Sequence, residues 1–400
     1  MAHSQTPEVA VLVSTYQRPR HLERCLLSIA LQRGVAGRME VVVADDGSTD
    51  ETHELVRAFA ATADFPVRMT THPHASFQLA RCRNEGVAAA RAEYLIFLDG
   101  DCILPPDHVF QHLARRRDRV AYAGYCICLD RPTSERVTAD AIRSGAFLRW
   151  GGWRERWKLA KLDWKSRFYY AMGHPMKPRL FGGNVGISRA DYERVNGYDE
   201  NFVGWGCEDD DMRIRLRRSG TRVASILRWT RTYHLWHPPT ATAPMAWRAG
   251  SNVAYLTRPM RLTRCRNGLL KRSDDDLRLA LLGNRTAMVE LGGEWGDLVR
   301  FGDGASFRDP ASMERSKADS ASASHRSMEG AAEVELIVGD EPGEFSGRAD
   351  CNILVLPDGC RAPPRGLHQA HVLVTNQSLG APWQVKYRMT ELRAALRNVA

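Results

Sequence analysis

The sequence predicts an α/β protein built on a doubly wound sheet, and three observations predict it. Short apolar runs at Val9–Val13, Glu40–Ala44 and Tyr94–Leu98 alternate with stretches of helical apolar spacing. The runs show no inside–outside alternation, the pattern of parallel strands buried on both faces. Acidic groups follow them at Asp45-Asp46 and Asp99-Gly100-Asp101. Those are carboxyl ends of strands, where open α/β sheets hold their sites.

Each element has a local reason. Leu22, Leu26, Ile29 and Ala30 recur at helical spacing from Pro19 to Leu31. Thr49-Asp50 read as the cap of a helix through Leu55, Val56 and Phe59. Val67–Thr70 is read as a third strand, and a helix is expected from Ser76 to about Ala90. From Arg131 to Arg179 the alternation stops and Trp becomes dense. The Gly182-Gly183-Asn184 turn follows, then a short strand, then a helix opening at Glu208. Four segments are expected: a catalytic domain over 1–240, a helical extension over 241–304, a Ser/Ala-rich linker over 305–330 and a small α/β module over 331–400.

Composition excludes several classes. With 400 residues, 44% hydrophobic and 26% charged, the chain can bury a sizeable core and is neither wholly disordered nor a small disulfide scaffold. No run is long and apolar enough for a membrane span, and no secretory signal is visible, so a cytoplasmic protein is expected. Nine Cys, an odd number without a CxxC, then read as reduced thiols. The net charge of +9 suggests a polyanionic neighbour: nucleotide phosphates, a nucleic acid or an anionic membrane surface.

Asp99-Gly100-Asp101 places two carboxylates around a glycine that lets a diphosphate approach the backbone. Carboxylate oxygens suit Mg²⁺ or Mn²⁺. Alone, Asp-x-Asp describes a solvated turn equally well. The surrounding motifs are Val13-Ser14-Thr15-Tyr16-Gln17-Arg18-Pro19, Asp45-Asp46-Gly47-Ser48-Thr49-Asp50 and Gln78-Leu-Ala-Arg81-Cys-Arg83-Asn84-Glu-Gly86. With them, the sequence resembles the family 2 nucleotide-sugar glycosyltransferases of GT-A fold. Phe181-Gly-Gly-Asn-Val-Gly-Ile and Gly204-Trp205-Gly206-Cys207-Glu208-Asp209-Asp210-Asp211 resemble the acceptor segment of chondroitin polymerases and β-1,4-galactosyltransferases. The likeness spans roughly residues 8 to 240 and says nothing of 305–400.

The resemblance implies a divalent-metal-dependent, inverting transfer of a sugar from a nucleotide-sugar, most naturally a UDP-sugar, to a hydroxyl of a glycan or lipid-linked glycan. Ser14, Tyr16, Arg18, Asp45, Asp46, Arg83, Asp99, Gly182, Gly183 and Asn184 are then expected at the nucleotide-sugar. A carboxylate at Asp46 facing an imide N–H would select a uracil base. Arg83 is expected either to face the diphosphate or to hold the Asp cluster in place. Asp101 and Asp99 would hold Mn²⁺ or Mg²⁺, with His234 as a further ligand and His237 as the alternative.

The Glu208–Asp211 run admits two readings. One is a solvated first turn stabilised by the helix dipole. The other, which the resemblance favours, makes Asp209 the general base, with Trp205, Gly206, Glu208 and Asp210 at the acceptor. The family usually has Gly where Cys207 stands, a departure expected to narrow the acceptor pocket.

Trp150, Trp153, Trp157 and Trp164 fall on one helical stripe within residues 143–168, beside Arg154, Lys158, Lys161 and Lys165. Two readings stay open here: a core helix with snorkelling bases, and an interfacial helix on an anionic membrane. Two other functions compete with glycosyl transfer. A nucleotidyltransferase should carry a Gly-rich loop after the first strand, and Ser14–Pro19 has no glycine. A nucleic-acid or other polyanion binder should not gather Asp45, Asp46, Asp99 and Asp101 at one sheet edge. No nucleic-acid partner is expected.

Overall fold

The computed structural model describes residues 6–174, 177–239, 243–244, 246–258, 261–272, 279–282, 333–338, 345, 349–356, 364–375, 377–378 and 384–387. The described residues divide into two compact units: residues 6–256 with Asn267–Leu269, and the remainder.

In the first unit the chain runs β1 (Val9–Thr15), α1 (Pro19–Ala30), β2 (Met39–Asp45), α2 (Thr52–Thr62), β3 (Val67–Thr71), α3 (Leu79–Ala89) and β4 (Tyr94–Asp99). Next come β5 (Cys102–Ile103), α4 (His108–Arg115), β6 (Val120–Ala123), β7 (Cys126–Cys128), α5 (Arg131–Glu135), α6 (Ala139–Arg143) and α7 (Trp153–Ala171). It closes with β8 (Asn184–Ser188), α8 (Arg189–Arg194), α9 (Glu208–Arg218), β9 (Arg222–Ser225), β10 (Thr232–His234) and α10 (Asn252–Leu256).

Seven strands form one sheet in the order β3-β2-β1-β4-β8-β6-β9. Only β8 runs against its neighbours, pairing antiparallel with β4 and β6. Every residue of β1 and β2 is buried, which is why neither shows an alternating pattern. Two apolar clusters cover the faces: Leu12, Phe97, Tyr192 and Met212 on one side, Val11, Leu26, Ile29 and Val43 on the other. A second sheet of order β5-β10-β7 lies apart in the ladder. It brings together residues more than a hundred positions distant in sequence, pairing His234 with Cys102 and with Cys128.

Three sequence expectations shift. The helix expected from Ser76 begins at Leu79, because Ser76 adopts φ 69° and leaves the helical region. Trp150 is not on the Trp-rich helix: it precedes Gly151 and Gly152, and Gly152 is the N-cap of α7. Trp150 packs, half-buried, against the apolar cluster that includes Ile127 and Phe147, while Trp153, Trp157 and Trp164 stand exposed at 73%, 62% and 65%. The core-helix reading therefore fits Leu159 and Leu162 but not those three Trp.

The second unit holds a fully parallel five-stranded sheet, β11 (Leu279–Leu282), β12 (Val334–Val338), β13 (Cys351–Leu356), β14 (Val372–Thr375) and β15 (Val385–Tyr387), in sequence order. A short helix α11 (Pro364–Gln369) lies between β13 and β14. The stretch read as a helical extension thus contains both α10 and strand β11. The residues read as a linker, 305–330, lie outside the described residues. Within this unit a buried ion pair joins Arg272 to Glu333 at 2.7 Å. Cys25, Cys82, Cys102, Cys126, Cys128 and Cys207 carry free thiols, and no described helix is long and apolar enough to cross a membrane.

Candidate active site

A cavity of about 670 Å³ opens at the carboxyl ends of β1 and β4. Its walls include Ser14, Tyr16, Arg18 and Asp46 from the first half of the sheet, Asp99, Asp101 and Gly182–Asn184 at the centre, and Trp205–Asp210 from the start of α9. His234 and His237 complete it. The reversed strand β8 is the reason the two motif groups meet. Its register sets Asn184 opposite Leu98, so the Gly182-Gly183 turn lands beside Asp99.

Those glycines are required by close approach. A Cβ on Gly182 would lie 2.1 Å from Nη2 of Arg83, and one on Gly183 2.5 Å from Oδ2 of Asp99. Arg83, 1% exposed, sits at the centre of the acidic groups. It donates to Asp209 Oδ1 at 3.1 Å and Asp99 Oδ1 at 3.4 Å, with Glu208 at 3.8 Å. Its guanidinium thus faces three carboxylates and also lines the cavity. Buried charges persist when paired in this way.

Asp209 accepts two further hydrogen bonds, from the Tyr198 hydroxyl at 3.0 Å and the Gly182 N–H at 2.7 Å. Three donors therefore fix both carboxylate oxygens. Tyr198 had no signal in the sequence, since no motif or spacing links it to the acidic run. Its ring also stacks under the Arg83 guanidinium, 5.0 Å from it.

The turn ahead of α9 is left-handed at Gly204, Gly206 and Cys207, with φ of 83°, 90° and 78°. That conformation suits glycine and costs a side-chain residue about 1 kcal/mol. Cys207 accepts it while packing on Phe202 and Leu256. The turn leaves Trp205 42% exposed on the cavity wall.

Glu208, by contrast, is buried. Burial, and then the negative charge of Asp209, push its carboxyl up to about 8 from the usual 4.5. The folded protein thus keeps this proton across a pH range in which the unfolded chain releases it. The associated stability is complete below pH 4.5 and is lost as pH rises toward 8. Glu208→Gln, which cannot ionise, should match the wild type in thermal stability near pH 4.5 and exceed it by several degrees at pH 8. Melting curves across that range check the sign, and a variant less stable at pH 8 would refute it.

The rest of the acidic run is structural in its contacts. Asp210 pairs with Arg179 at 3.2 Å and Arg213 at 3.1 Å, at the cavity edge. Asp211 is fully buried against Arg215 at 2.6 Å. Asn184 spends its side-chain oxygen on His112 at 3.1 Å.

The two adjacent carboxylates after β2 part company. Asp45 is turned inward, where Ser48, His53 and Thr71 satisfy it, and it is not on the cavity wall. Asp46 faces the cavity. Its carboxylate meets His72 at 2.9 Å and the Gln78 N–H at 3.1 Å, and His72 reaches Glu85 at 2.7 Å behind it. Tyr16 stacks on His74 with ring centroids 4.2 Å apart, making a flat wall next to Asp46.

Asp101, His234 and His237 form one group whose ligand atoms all lie within 4.8 Å of one another. Asp101 lies 3.4 Å from His234 Nε2 and 3.1 Å from His237 Nε2, and accepts from Arg18 at 3.0 Å. Burial alone would raise the Asp101 carboxyl. The His237 hydrogen bond and the charges of His234, His237 and Arg18 outweigh it and hold the group at about 2. One carboxylate and two imidazoles fit a divalent ion such as Mn²⁺. Both His that the sequence offered as alternatives join this group, and Asp99 lies on the same cavity wall, paired with Arg83 at 3.4 Å.

Residues 10–181 match the family described as Glycosyl transferase family 2, and residues 167–238 match the N-terminal domain of galactosyltransferase. The first unit of the chain thus resembles glycosyl transferase family 2, the two matches together spanning residues 10–238 of it. Validoxylamine A glucosyltransferase from Streptomyces hygroscopicus subsp. jinggangensis is 30% identical over 228 residues, which cover 55% of this chain and 53% of the relative. Chondroitin synthase from Escherichia coli is 27% identical over 264 residues, covering 61% of this chain and 37% of its own. Human beta-1,4-galactosyltransferase 4 is 36% identical over 58 residues, covering 14% and 17% of the two chains. The chain thus spans about half, or less, of the length of these relatives.

Proposed function

We propose that the protein is a divalent-metal-dependent, inverting glycosyltransferase. It moves a hexosyl group from a UDP-sugar to a hydroxyl of a glycan or lipid-linked glycan. The observation that carries this reading is that one cavity holds both the Asp101–His234–His237 group and Asp209, the latter fixed by three donors.

Asp46 and the Tyr16–His74 stack accept the base, with the Asp46 carboxylate set for an imide N–H. Asp101, His234 and His237 would hold a divalent cation, which when bound supplies positive charge to the departing diphosphate. Arg18 adds a second cation at the same place. Trp205 provides a flat face for the acceptor sugar.

Asp209 takes the proton of the acceptor hydroxyl as its oxygen bonds to the anomeric carbon. The bond from that carbon to the diphosphate breaks in the same displacement, and its electron pair leaves with the nucleotide. Glu208 carries a proton at neutral pH and serves the acceptor as a hydrogen-bond donor rather than as a base. The kinship with a glucosyltransferase and a chondroitin synthase supports transfer of a hexosyl unit.

A donor screen tests the reading. With Mn²⁺ present, UDP-sugars should be hydrolysed in preference to GDP-sugars, whereas dTDP-sugars present the same imide N–H to Asp46. Equal turnover of UDP- and GDP-sugars would remove Asp46 as the uracil-reading group, and turnover of none would overturn the reading.

A further inference from the structure

Helix α7 presents an unusual outer face. Trp153, Trp157, Trp164, Phe168 and Met172, the last just past its end, are 52–73% exposed. At 3.6 residues per turn these positions fall within an arc of about 100°. Trp164 and Phe168 stack, with centroids 6.1 Å apart. Single exposed apolar residues are ordinary, but a contiguous aromatic stripe marks a contact surface.

The charges on this helix are sorted as well. Arg154, Lys158, Lys161, Lys165 and Arg167 are exposed beside the aromatic stripe. The two acidic residues of α7, Glu155 and Asp163, turn toward the protein, and Asp163 accepts from Ser225 at 2.9 Å. The outer face thus carries five cations, two of them paired at its edges with these carboxylates: Lys158 with Glu155 at 3.4 Å and Arg167 with Asp163 at 4.0 Å. Two of the cations lie over the stripe itself: Lys161 is 5.1 Å from the Trp157 ring and Arg154 is 5.6 Å from the Trp153 ring.

We infer that the outer face of α7 docks on the surface of an anionic lipid bilayer. Trp rings settle at the boundary between headgroups and acyl chains, and the flanking amines meet lipid phosphates. Charge complementarity selects this occupant: a second copy of the same face would set five cations against five. The helix lies in the plane of the surface, since it is too polar to span a membrane. Lys158 approaches the ring of Tyr125, which lines the cavity, at 5.7 Å, so docking brings the cavity wall near the lipid. The docking itself is independent of the proposed sugar transfer.

Sedimentation of the full chain with vesicles tests it. Phosphatidylcholine vesicles containing phosphatidylglycerol should carry the protein down, pure phosphatidylcholine should do so at least about 10-fold more weakly, and salt should release it because screening acts within about 10 Å at 0.1 M. Brominated acyl chains should quench Trp emission. Lys161→Glu with Lys165→Glu should weaken sedimentation about 10-fold or more, and Trp157→Ser with Trp164→Ser should remove most of the quench. All four positions are exposed and outside the cavity, so melting temperature and donor hydrolysis should stay as in the wild type. Three results would overturn the inference: no sedimentation with anionic vesicles, equal binding of the variants, or a dimer by light scattering that the Trp variants abolish while vesicles are ignored. Binding of a soluble acidic polysaccharide without vesicle binding would also overturn it.

Discussion

Asp209→Asn is expected to lower kcat by about 10²–10⁴ with donor affinity little changed. The structure refines what Asn can keep. Its single oxygen can still accept from Arg83 and Tyr198, which both address Oδ1. Its amide nitrogen must then face the Gly182 N–H that now donates to Oδ2, so one hydrogen bond is lost along with the ability to take a proton. The proposed nucleotide contacts are at Tyr16 and Asp46, elsewhere on the cavity wall, so donor Kd should move little. Asp210→Asn is the control: it keeps an oxygen to accept from the buried Arg213, weakens the pair with the exposed Arg179 and should cost far less in turnover. A dead Asp210→Asn beside a near-normal Asp209→Asn would move the base by one residue along α9.

The second large effect concerns Asp101. Asp101→Ala removes the one carboxylate of the Asp101–His234–His237 group and leaves two imidazoles and Arg18 facing one another. Mn²⁺ binding, measured by calorimetry, should fall by at least about 100-fold, as expected when a ligand of the metal itself is removed. Turnover should fall with it, and EDTA should inactivate the wild type until Mn²⁺ is restored. The fold should persist, because β5 is held by backbone pairing with β10 rather than by this carboxylate. Undiminished Mn²⁺ binding in Asp101→Ala, or full activity in EDTA, would take the metal group out of the account.

The sheet was legible because its strands are buried on both faces, which writes them as unbroken apolar runs. The acidic strand ends were legible for the same reason: a polar residue that stops such a run marks where the chain reaches the sheet edge. What lay beyond the sequence was orientation. Adjacent carboxylates at Asp45 and Asp46 look alike in one dimension, yet the end of β2 turns one into the protein and the other into the cavity. His234 and His237 could not be ranked by spacing, because their convergence on Asp101 depends on the β5–β10 pairing across more than a hundred residues. Tyr198 follows the Asn196-Gly197 turn, whose residue types mark a turn but not where the next side chain reaches. Strand β11 was missed because four apolar residues carry little periodicity and its partner β12 begins more than fifty positions later.

The most direct test of the central claim is the anomer first released when the enzyme hydrolyses a UDP-α-sugar, read by proton NMR before mutarotation. A single displacement, with Asp209 taking the proton of the attacking oxygen, delivers the β-anomer first. Early appearance of the α-anomer would mean that configuration is retained, and it would contradict the one-step mechanism proposed for this cavity.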